Sequence, residues 1–138
     1  MLRGEAAFVD SGAWIALALS RDPLHTRAKE HWEILEEAGA KLHTSIPVVL
    51  ETFTFLERNA HRDVALAWKE SISGPIAVKI LACELRDLAQ SWDYFRRKGL
   101  HKLSAVDATS FAIMRRARIR VAFTFDHHFA AVGFRLVG

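Results

Sequence analysis

The sequence contains a single cysteine, Cys83, and lacks the common cysteine-based sites. One cysteine cannot form an internal disulfide, and it cannot supply a CxxC metal or redox motif. The glycine-rich phosphate-binding loops of the Walker and dinucleotide types are also absent, as is the G-x-S-x-G elbow of serine hydrolases. These absences exclude a disulfide framework and give no support to a nucleotide cofactor or a serine nucleophile of that type.

Long apolar segments are missing as well. No uncharged apolar run approaches the roughly 18 to 20 residues that a membrane-spanning helix requires. The first twenty residues resemble a signal peptide only faintly, because Asp10 interrupts the apolar stretch between Arg3 and Leu19. We therefore expect a cytoplasmic protein with no membrane partner, and the lone cysteine is compatible with a reducing compartment.

The composition is that of one compact globular domain. The 138 residues are 51% hydrophobic and 25% charged, and no linker, internal repeat or low-complexity stretch divides them. We therefore expect a single domain over residues 1–138.

Positive charge is concentrated in one part of the chain. The formal net charge is only +3, but eight basic residues and one acid lie between Arg96 and Arg120, which leaves +7 in that block. Such a block favours a phosphate-bearing ligand, with an ordinary solvated surface as the alternative. Arg115 and Arg116, within the block, are the residues that we expect to bind substrate.

Short apolar strands alternate with helices along the chain. Strands are predicted at 6–9, 41–44, 76–81, 120–125 and 134–137. Helices are predicted at 14–19, 22–38, 47–59, 62–71, 84–98 and 104–118, with one further turn at 127–131. Helices of this length act as crossovers between parallel strands. The sequence therefore predicts an α/β fold in which helices cover both faces of a mainly parallel sheet of four to five strands. The tryptophans lie at helical spacing, which favours core packing over base stacking.

Four acidic residues occupy related places in this pattern. Asp10 and Asp126 each follow a strand directly, Glu51 lies about one turn into the helix after the second strand, and Asp107 lies in the first turn of the helix before the fourth. In parallel sheets, ligands bind beyond the carboxyl ends of the strands. The four carboxylates can therefore converge at one rim of the sheet.

Taken singly, each acid has an ordinary structural explanation. Asp107 and Asp126 can cap helices, and Glu51 can be an acid favoured by a helix dipole. However, Asp10, Glu51 and Asp107 are surrounded by apolar residues in the sequence, and no Lys or Arg is among their immediate neighbours. Buried carboxylates without a partner are costly, and several together repel one another. A divalent cation such as Mg²⁺ or Mn²⁺, which prefers oxygen ligands, would compensate all four at once.

Two other types of site are less well supported. His127 and His128 suggest a zinc pair, but adjacent residues are expected to point in different directions, and no Cys or further His lies at a zinc-finger or H-E-x-x-H spacing. Ser11 follows Asp10, where we expect it to steady Asp10 or a metal-bound water rather than to act as a nucleophile. Cations bound to these carboxylates would support phosphodiester hydrolysis without a covalent intermediate.

The sequence resembles the PIN domains, and among them the VapC-type toxins of toxin–antitoxin pairs. The resemblance spans nearly the whole chain in the family's order, and its motifs are Phe8-Val9-Asp10-Ser11-Gly12, Thr44-Ser45-Ile46-Pro47-Val48-Val49-Leu50-Glu51, Leu103-Ser104-Ala105-Val106-Asp107-Ala108 and Phe123-Thr124-Phe125-Asp126-His127-His128-Phe129.

That resemblance implies more than the residue pattern does. It implies a PIN-like sheet with strand order 3-2-1-4-5, and a Mg²⁺ or Mn²⁺ site formed by acids at positions Asp10, Glu51, Asp107 and Asp126. It implies that Thr124 supports these ligands without binding the ion. It further implies an endoribonuclease that cleaves RNA, slows growth when free, forms a homodimer and is inhibited by a cognate VapB-like antitoxin.

Two alternatives belong to other functional classes. A PIN-like module that keeps the fold but binds RNA or protein without catalysis would lack a working metal site. A phosphoacceptor domain of the receiver type could use Asp10 as its acceptor, but the adjacent acid pair and the late-strand lysine of that chemistry are not evident in the sequence.

Overall fold

The computed structural model describes residues 2–138, and over these residues it has five strands and seven helices. The strands are β1 (Ala6–Val9), β2 (Lys41–Ser45), β3 (Val78–Leu81), β4 (Val121–Phe123) and β5 (Arg135–Leu136). The helices are α1 (Ser11–Ala18), α2 (His25–Glu37), α3 (Ile46–Asn59), α4 (Arg62–Ser73), α5 (Leu85–Tyr94), α6 (Ala105–Ala117) and α7 (His128–Ala131).

The strands form one sheet in the order β3-β2-β1-β4-β5, and every pairing between neighbours is parallel. The predicted α/β fold and strand order are therefore confirmed. Helices cover the sheet in a three-layer arrangement: helices α1 to α4 pack against one another, and α5 packs against α6. The carboxyl ends of β1 and β4 lie side by side, with Val9 opposite Phe123.

The core forms between this sheet and the helices. The central strands contribute Phe8, Val9, Val121 and Phe123, all fully buried. Because both faces of the sheet are covered, these strands are apolar throughout rather than alternating.

Three of the four tryptophans pack together, as their helical spacing predicts. The ring centroid of Trp14 lies 6.0 Å from that of Trp32 and 5.9 Å from that of Trp68. The prediction was wrong for Trp92, which is 47% exposed and lies beside Phe95 on the surface of α5. Helical spacing identifies one face of a helix, but it does not show whether another element covers that face.

Two serines begin the helices that carry Glu51 and Asp107. Ser45 caps α3 by accepting the N–H of Val48, and Ser104 caps α6 by accepting the N–H of Asp107 at 3.0 Å. Each cap satisfies a backbone N–H that the helix leaves free. They fix where the two helices start relative to the strand ends.

Several predicted elements are longer than the observed ones. Helix α5 stops at Tyr94 rather than at residue 98, because the N–H groups from Phe95 to Arg97 bond to carbonyls three residues back instead of four. Helix α2 starts at His25 rather than at residue 22, because the Asp22 side chain accepts the N–H of Leu24 and holds a turn there. Strands β3, β4 and β5 are each shorter than predicted.

Within residues 2–138, none of the helices combines the length and the apolar character needed to cross a membrane.

Candidate metal centre

Asp10 lies at the centre of the site, between the end of β1 and the start of α1. Its backbone N–H bonds to the carbonyl of Phe123 at 3.0 Å, which ties the end of β1 to the end of β4. Its side chain is almost fully buried, and Oδ2 accepts a hydrogen bond from Thr124 Oγ1 at 2.9 Å. The other oxygen, Oδ1, is buried and has no hydrogen-bond partner within residues 2–138.

Burial raises the pKa of Asp10 from 3.8 to about 6. The hydrogen bonds from Thr124 and from the Ser11 backbone act in the opposite direction, and the charges of Glu51 and Asp126 add to the increase. Asp10 is therefore a carboxylate whose negative charge is only partly compensated by its protein surroundings.

Thr124 connects Asp10 to Asp126. Its hydroxyl donates to Asp10 Oδ2 and accepts the backbone N–H of Asp126 at 3.0 Å. This contact forms a turn after Phe123, where β4 ends, and the turn directs Asp126 towards the carboxyl-end rim of the sheet. Thr124 thus contacts both acids, as expected of a residue that supports the ligands.

Ser11 makes the corresponding contact on the other side of Asp10. Its Oγ donates to Glu51 Oε1 at 2.6 Å, which links the first residue of α1 to the second turn of α3. Glu51 is close enough to Asp10 to raise the pKa of Asp10. Ser11 orients Glu51 in this structure, whereas the sequence had suggested a contact with Asp10 or with a metal-bound water.

Asp107 completes the group from the first turn of α6. Its pKa is raised from 3.8 to about 8, mainly by burial and also by the negative charge of Asp10 and the hydrogen bonding and charge of Asp126. The Ser104 hydroxyl partly offsets this increase. The four acids predicted from the sequence, which span 117 residues of chain, are thus brought together at the carboxyl ends of β1 and β4.

Two histidines lie beside Asp126, but within residues 2–138 no Lys or Arg balances the negative charge of this cluster. In the part of the chain that the structure describes, no Lys or Arg forms an ion pair with Asp10, Glu51, Asp107 or Asp126. Four convergent carboxylates and the unpartnered Oδ1 of Asp10 match the oxygen-ligand preference of Mg²⁺ or Mn²⁺. The donor set therefore fits a hard divalent cation, which these four acids could hold.

Two histidines lie next to Asp126, in an arrangement that the sequence pattern does not predict. The rings of His127 and His128 are neighbours, with centroids 4.4 Å apart and planes inclined by 31°. The expectation that adjacent residues point in different directions is wrong at this position, because the backbone begins the short helix α7 here. Asp126, His127 and His128 form a compact set of metal-ligating groups.

The basic block between Arg96 and Arg120 is split by α6. Arg116 lies nine positions after Asp107 on α6, which places the two about 13 Å apart along the helix axis. Arg116 bonds to Asp87 and to the carbonyl of Ala82, and the Arg115 guanidinium bonds to the carbonyl of Val132 and covers the ring of Phe134. The structure does not bring these two arginines to the carboxylates, and their binding of substrate stays a prediction.

The loop between α5 and α6 carries other basic residues of the block. The loop between α5 and α6 contacts the site, because the carbonyl of His101 accepts a hydrogen bond from His128 Nε2 at 2.7 Å. Lys98 and Lys102 are exposed on this loop and form no ion pair within residues 2–138. The positive charge of the block is visible in the sequence, but its position relative to the acids depends on where α6 starts and ends.

An apolar groove of about 730 Å³ opens beside Glu51. It runs along α3 to the end of β3, and its lining includes Ile46, Leu50, Phe55 and Cys83. Leu50 is 62% exposed, a large apolar side chain left uncovered in the isolated chain. Exposed apolar surface of this kind is typical of a protein-binding site.

The comparisons with known proteins agree with this fold. A family model described as "PIN domain" matches residues 7–135. The 23S rRNA-specific endonuclease VapC20 of Mycobacterium tuberculosis is 36% identical over 128 residues, which cover 92% of this chain and 94% of that protein. The crystal structure of that VapC20, described as a sarcin-ricin loop cleaving toxin, superimposes with a TM-score of 0.80 at 33% identity and covers 93% of this chain and 95% of that one.

A more distant structure shares the fold alone. VapBC2 from Rickettsia felis, bound to a DNA fragment from its promoter, has a TM-score of 0.71 at 10% identity and covers 95% of this chain and 96% of that one.

Proposed function

The chain belongs to the PIN domain family, and we propose that it is a metal-dependent endoribonuclease of the VapC toxin type. The observation that carries the proposal is the convergence of four carboxylates around the buried, unpartnered Oδ1 of Asp10. The similarity to an endonuclease over 92% of the chain supports the same conclusion independently.

Asp10, Glu51, Asp107 and Asp126 would hold one or two Mg²⁺ or Mn²⁺ ions. A divalent cation bound to carboxylates supplies Lewis acidity towards a phosphodiester and lowers the pKa of water for in-line attack. The protein positions the ligands: Thr124 fixes Asp10 relative to Asp126, and Ser11 fixes Glu51. Asp107, whose pKa is raised to about 8, must be deprotonated before it can act as a ligand.

RNA would approach along the rim that carries the α5–α6 loop. Lys98 and Lys102 are exposed there, on the loop whose His101 carbonyl contacts His128 beside the carboxylates. Lysines attract the phosphate backbone without reading sequence. Ribosomal RNA is the substrate that we propose, because the similar VapC20 protein is a 23S rRNA-specific endonuclease.

The partners follow from the same assignment. We propose that a VapB-like antitoxin inhibits the enzyme, that the toxin forms a homodimer, and that it acts in the cytoplasm, where ribosomal RNA lies. The apolar groove along α3 next to Glu51 supports a protein partner, because large apolar side chains there are exposed in the isolated chain.

An RNA cleavage assay tests the proposed activity. Purified protein is incubated with a sarcin–ricin loop oligonucleotide and with unrelated RNA, with EDTA or with added Mg²⁺ or Mn²⁺. We expect cleavage only with the metal, and a decrease of at least about 100-fold in Asp10→Asn and Asp107→Asn, since removing one group that stabilises a transition state costs that much in other enzymes. Asp63→Asn, at an exposed acid on α4, should retain activity.

Full metal-dependent cleavage by both Asn variants would contradict the assignment of the site. RNA binding without any cleavage under these conditions would favour the non-catalytic module.

A further inference from the structure

Asp126, His127 and His128 form a second group of potential metal ligands at the edge of the carboxylate site. One donor atom from each residue can be chosen so that all three lie within 4.8 Å of one another. His127 Nδ1 lies 3.9 Å from Asp126 Oδ1, and His128 Nδ1 lies 2.7 Å from the same oxygen. The four acids of the candidate Mg²⁺ or Mn²⁺ site do not account for either imidazole.

The protonation pattern of His128 presents a free nitrogen to Asp126. Its Nε2 must donate to the carbonyl of His101, because a carbonyl only accepts hydrogen bonds. A neutral ring then carries its lone pair on Nδ1. That nitrogen is buried, with the side chain only 7% exposed, and it has no hydrogen-bond partner among the residues described.

The arrangement matches the way in which proteins prepare a histidine as a metal ligand. Metal-binding histidines commonly donate their second ring N–H to a backbone carbonyl or a carboxylate, which fixes the tautomer and the ring orientation. With Nε2 engaged by a carbonyl, Nδ1 is the ring nitrogen that is left to bind a cation. It lies 2.7 Å from Asp126 Oδ1, so a cation beside the two atoms could contact both.

The spacing of the donors also suits zinc. Tetrahedral Zn²⁺ with bonds of about 2.0 to 2.1 Å requires donor atoms about 3.3 Å apart. The two distances to Asp126 Oδ1, 2.7 Å and 3.9 Å, lie on either side of this value. The side chain of His127 is 84% exposed, which leaves room for the small movements that would bring the three donors into place.

We propose that Asp126, His127 and His128 form a binding site for Zn²⁺ or a similar borderline transition metal, with water in the open position. Imidazole nitrogen suits Zn²⁺, Ni²⁺ and Cu²⁺, whereas the all-carboxylate set suits Mg²⁺ and Mn²⁺. The two sites share Asp126. Zinc at this site therefore withdraws one ligand from the carboxylate site, and this regulatory consequence rests on the proposed nuclease function.

Cobalt is the probe for the site itself, because Co²⁺ replaces Zn²⁺ and its visible spectrum reports nitrogen ligands in a four-coordinate geometry. Titration of the wild-type protein in millimolar Mg²⁺ should give one equivalent of an absorbing complex, which one equivalent of Zn²⁺ abolishes. His127→Ala should weaken Co²⁺ binding by at least about tenfold. Mutation of a residue that only hydrogen-bonds to a metal ligand already lowers metal affinity by about that factor.

The controls separate this site from other histidines and from the carboxylate site. His61→Ala removes another exposed histidine, on the N-terminal side of α4, and should bind Co²⁺ as the wild type does. Asp10→Asn should also keep the cobalt spectrum, because Asp10 belongs only to the carboxylate site. Cobalt binding that is unchanged in His127→Ala, or the absence of any four-coordinate spectrum, would overturn the proposal.

A second measurement tests the regulatory consequence. In an RNA cleavage assay with saturating Mg²⁺, micromolar Zn²⁺ should inhibit the wild-type protein and should inhibit His127→Ala at least about tenfold less strongly. Equal inhibition of both proteins would contradict regulation through this site. If no RNA is cleaved under any condition, the nuclease assignment fails, while the cobalt titration still decides whether the metal site exists.

Discussion

Two carboxyl groups of the site, those of Asp10 and Asp107, lie where burial opposes their negative charge. Their pKa values are raised to about 6 and about 8 from an ordinary value of 3.8. An acid whose pKa is higher in the folded state binds protons more tightly there than in the unfolded chain. The metal-free protein therefore loses stability as the pH rises from about 4 towards 8.

This loss of stability with rising pH leads to a prediction for Asp10→Asn. At pH 8 the variant should be more stable than the metal-free wild type, by at most about 3 kcal/mol for a shift of about two units at 1.36 kcal/mol each. At pH 4 the difference should nearly vanish. Urea denaturation in EDTA across this pH range measures it.

Millimolar Mn²⁺ provides the control for that comparison, because bound ligand stabilises only the folded state. It should stabilise the wild type at pH 8 and leave Asp10→Asn almost unchanged. A variant that is less stable than the metal-free wild type at pH 8 would show that the charge of Asp10 is already compensated within the protein.

Residue patterns identified the acids but not the partners of the arginines. The apolar surroundings of Asp10 and Asp107 are visible in the sequence, and the raised pKa values follow from the burial that those surroundings predict. Arg116 was expected from the sequence to bind substrate. It instead pairs with Asp87, 29 residues earlier in the chain, and only the packing of two helices creates that contact.

At the scale of elements, that ion pair fastens α5 to α6. Arg116 bonds through Nε and a terminal nitrogen to both oxygens of Asp87, which is 1% exposed. Burial alone would raise the pKa of Asp87, but the guanidinium outweighs burial and lowers it. The pair is therefore a structural contact between the two helices.

Arg116→Ala should consequently destabilise the protein by about 3 kcal/mol, because it leaves a buried carboxylate without its partner. Arg120→Ala removes an exposed arginine from the same block and should change the free energy of unfolding by less than about 0.5 kcal/mol. Denaturant unfolding measures both. Adding Asp87→Asn to Arg116→Ala should recover part of the stability, and equal stability of Arg116→Ala and wild type would contradict the structural role.

The division of the basic block by α6 gives a prediction for RNA binding. Lys98→Gln with Lys102→Gln should weaken RNA binding and reduce the slope of log affinity against log salt by about 2, or about 1 for each phosphate that a lysine no longer neutralises. Arg118→Gln with Arg120→Gln removes the same charge before β4, at the opposite end of that strand from Asp126. Filter binding at several salt concentrations compares the two pairs.

The two double variants carry equal net charge, so a non-specific charge effect would lower both affinities alike. That equality is the outcome that would count against a role for the α5–α6 loop.

At the scale of the whole molecule, the alternation of strands and helices was enough to predict a parallel α/β sheet, and the resemblance supplied its strand order. Parallel strands bring their carboxyl ends to one edge, so the convergence of Asp10 and Asp126 follows from topology. The contact of the α5–α6 loop with α7, through His101 and His128, could not be predicted in this way. It depends on helix lengths and loop conformation, which local sequence leaves open.

The proposed function depends on a divalent cation that the four carboxylates share. Crystals grown with Mn²⁺ and measured for manganese anomalous scattering would show whether such a cation binds there. We expect a peak about 2.2 Å from carboxylate oxygens of Asp10 and of at least one of Glu51, Asp107 and Asp126, and no such peak in Asp10→Asn crystals. A wild-type crystal in saturating Mn²⁺ with no peak between these side chains would contradict the account.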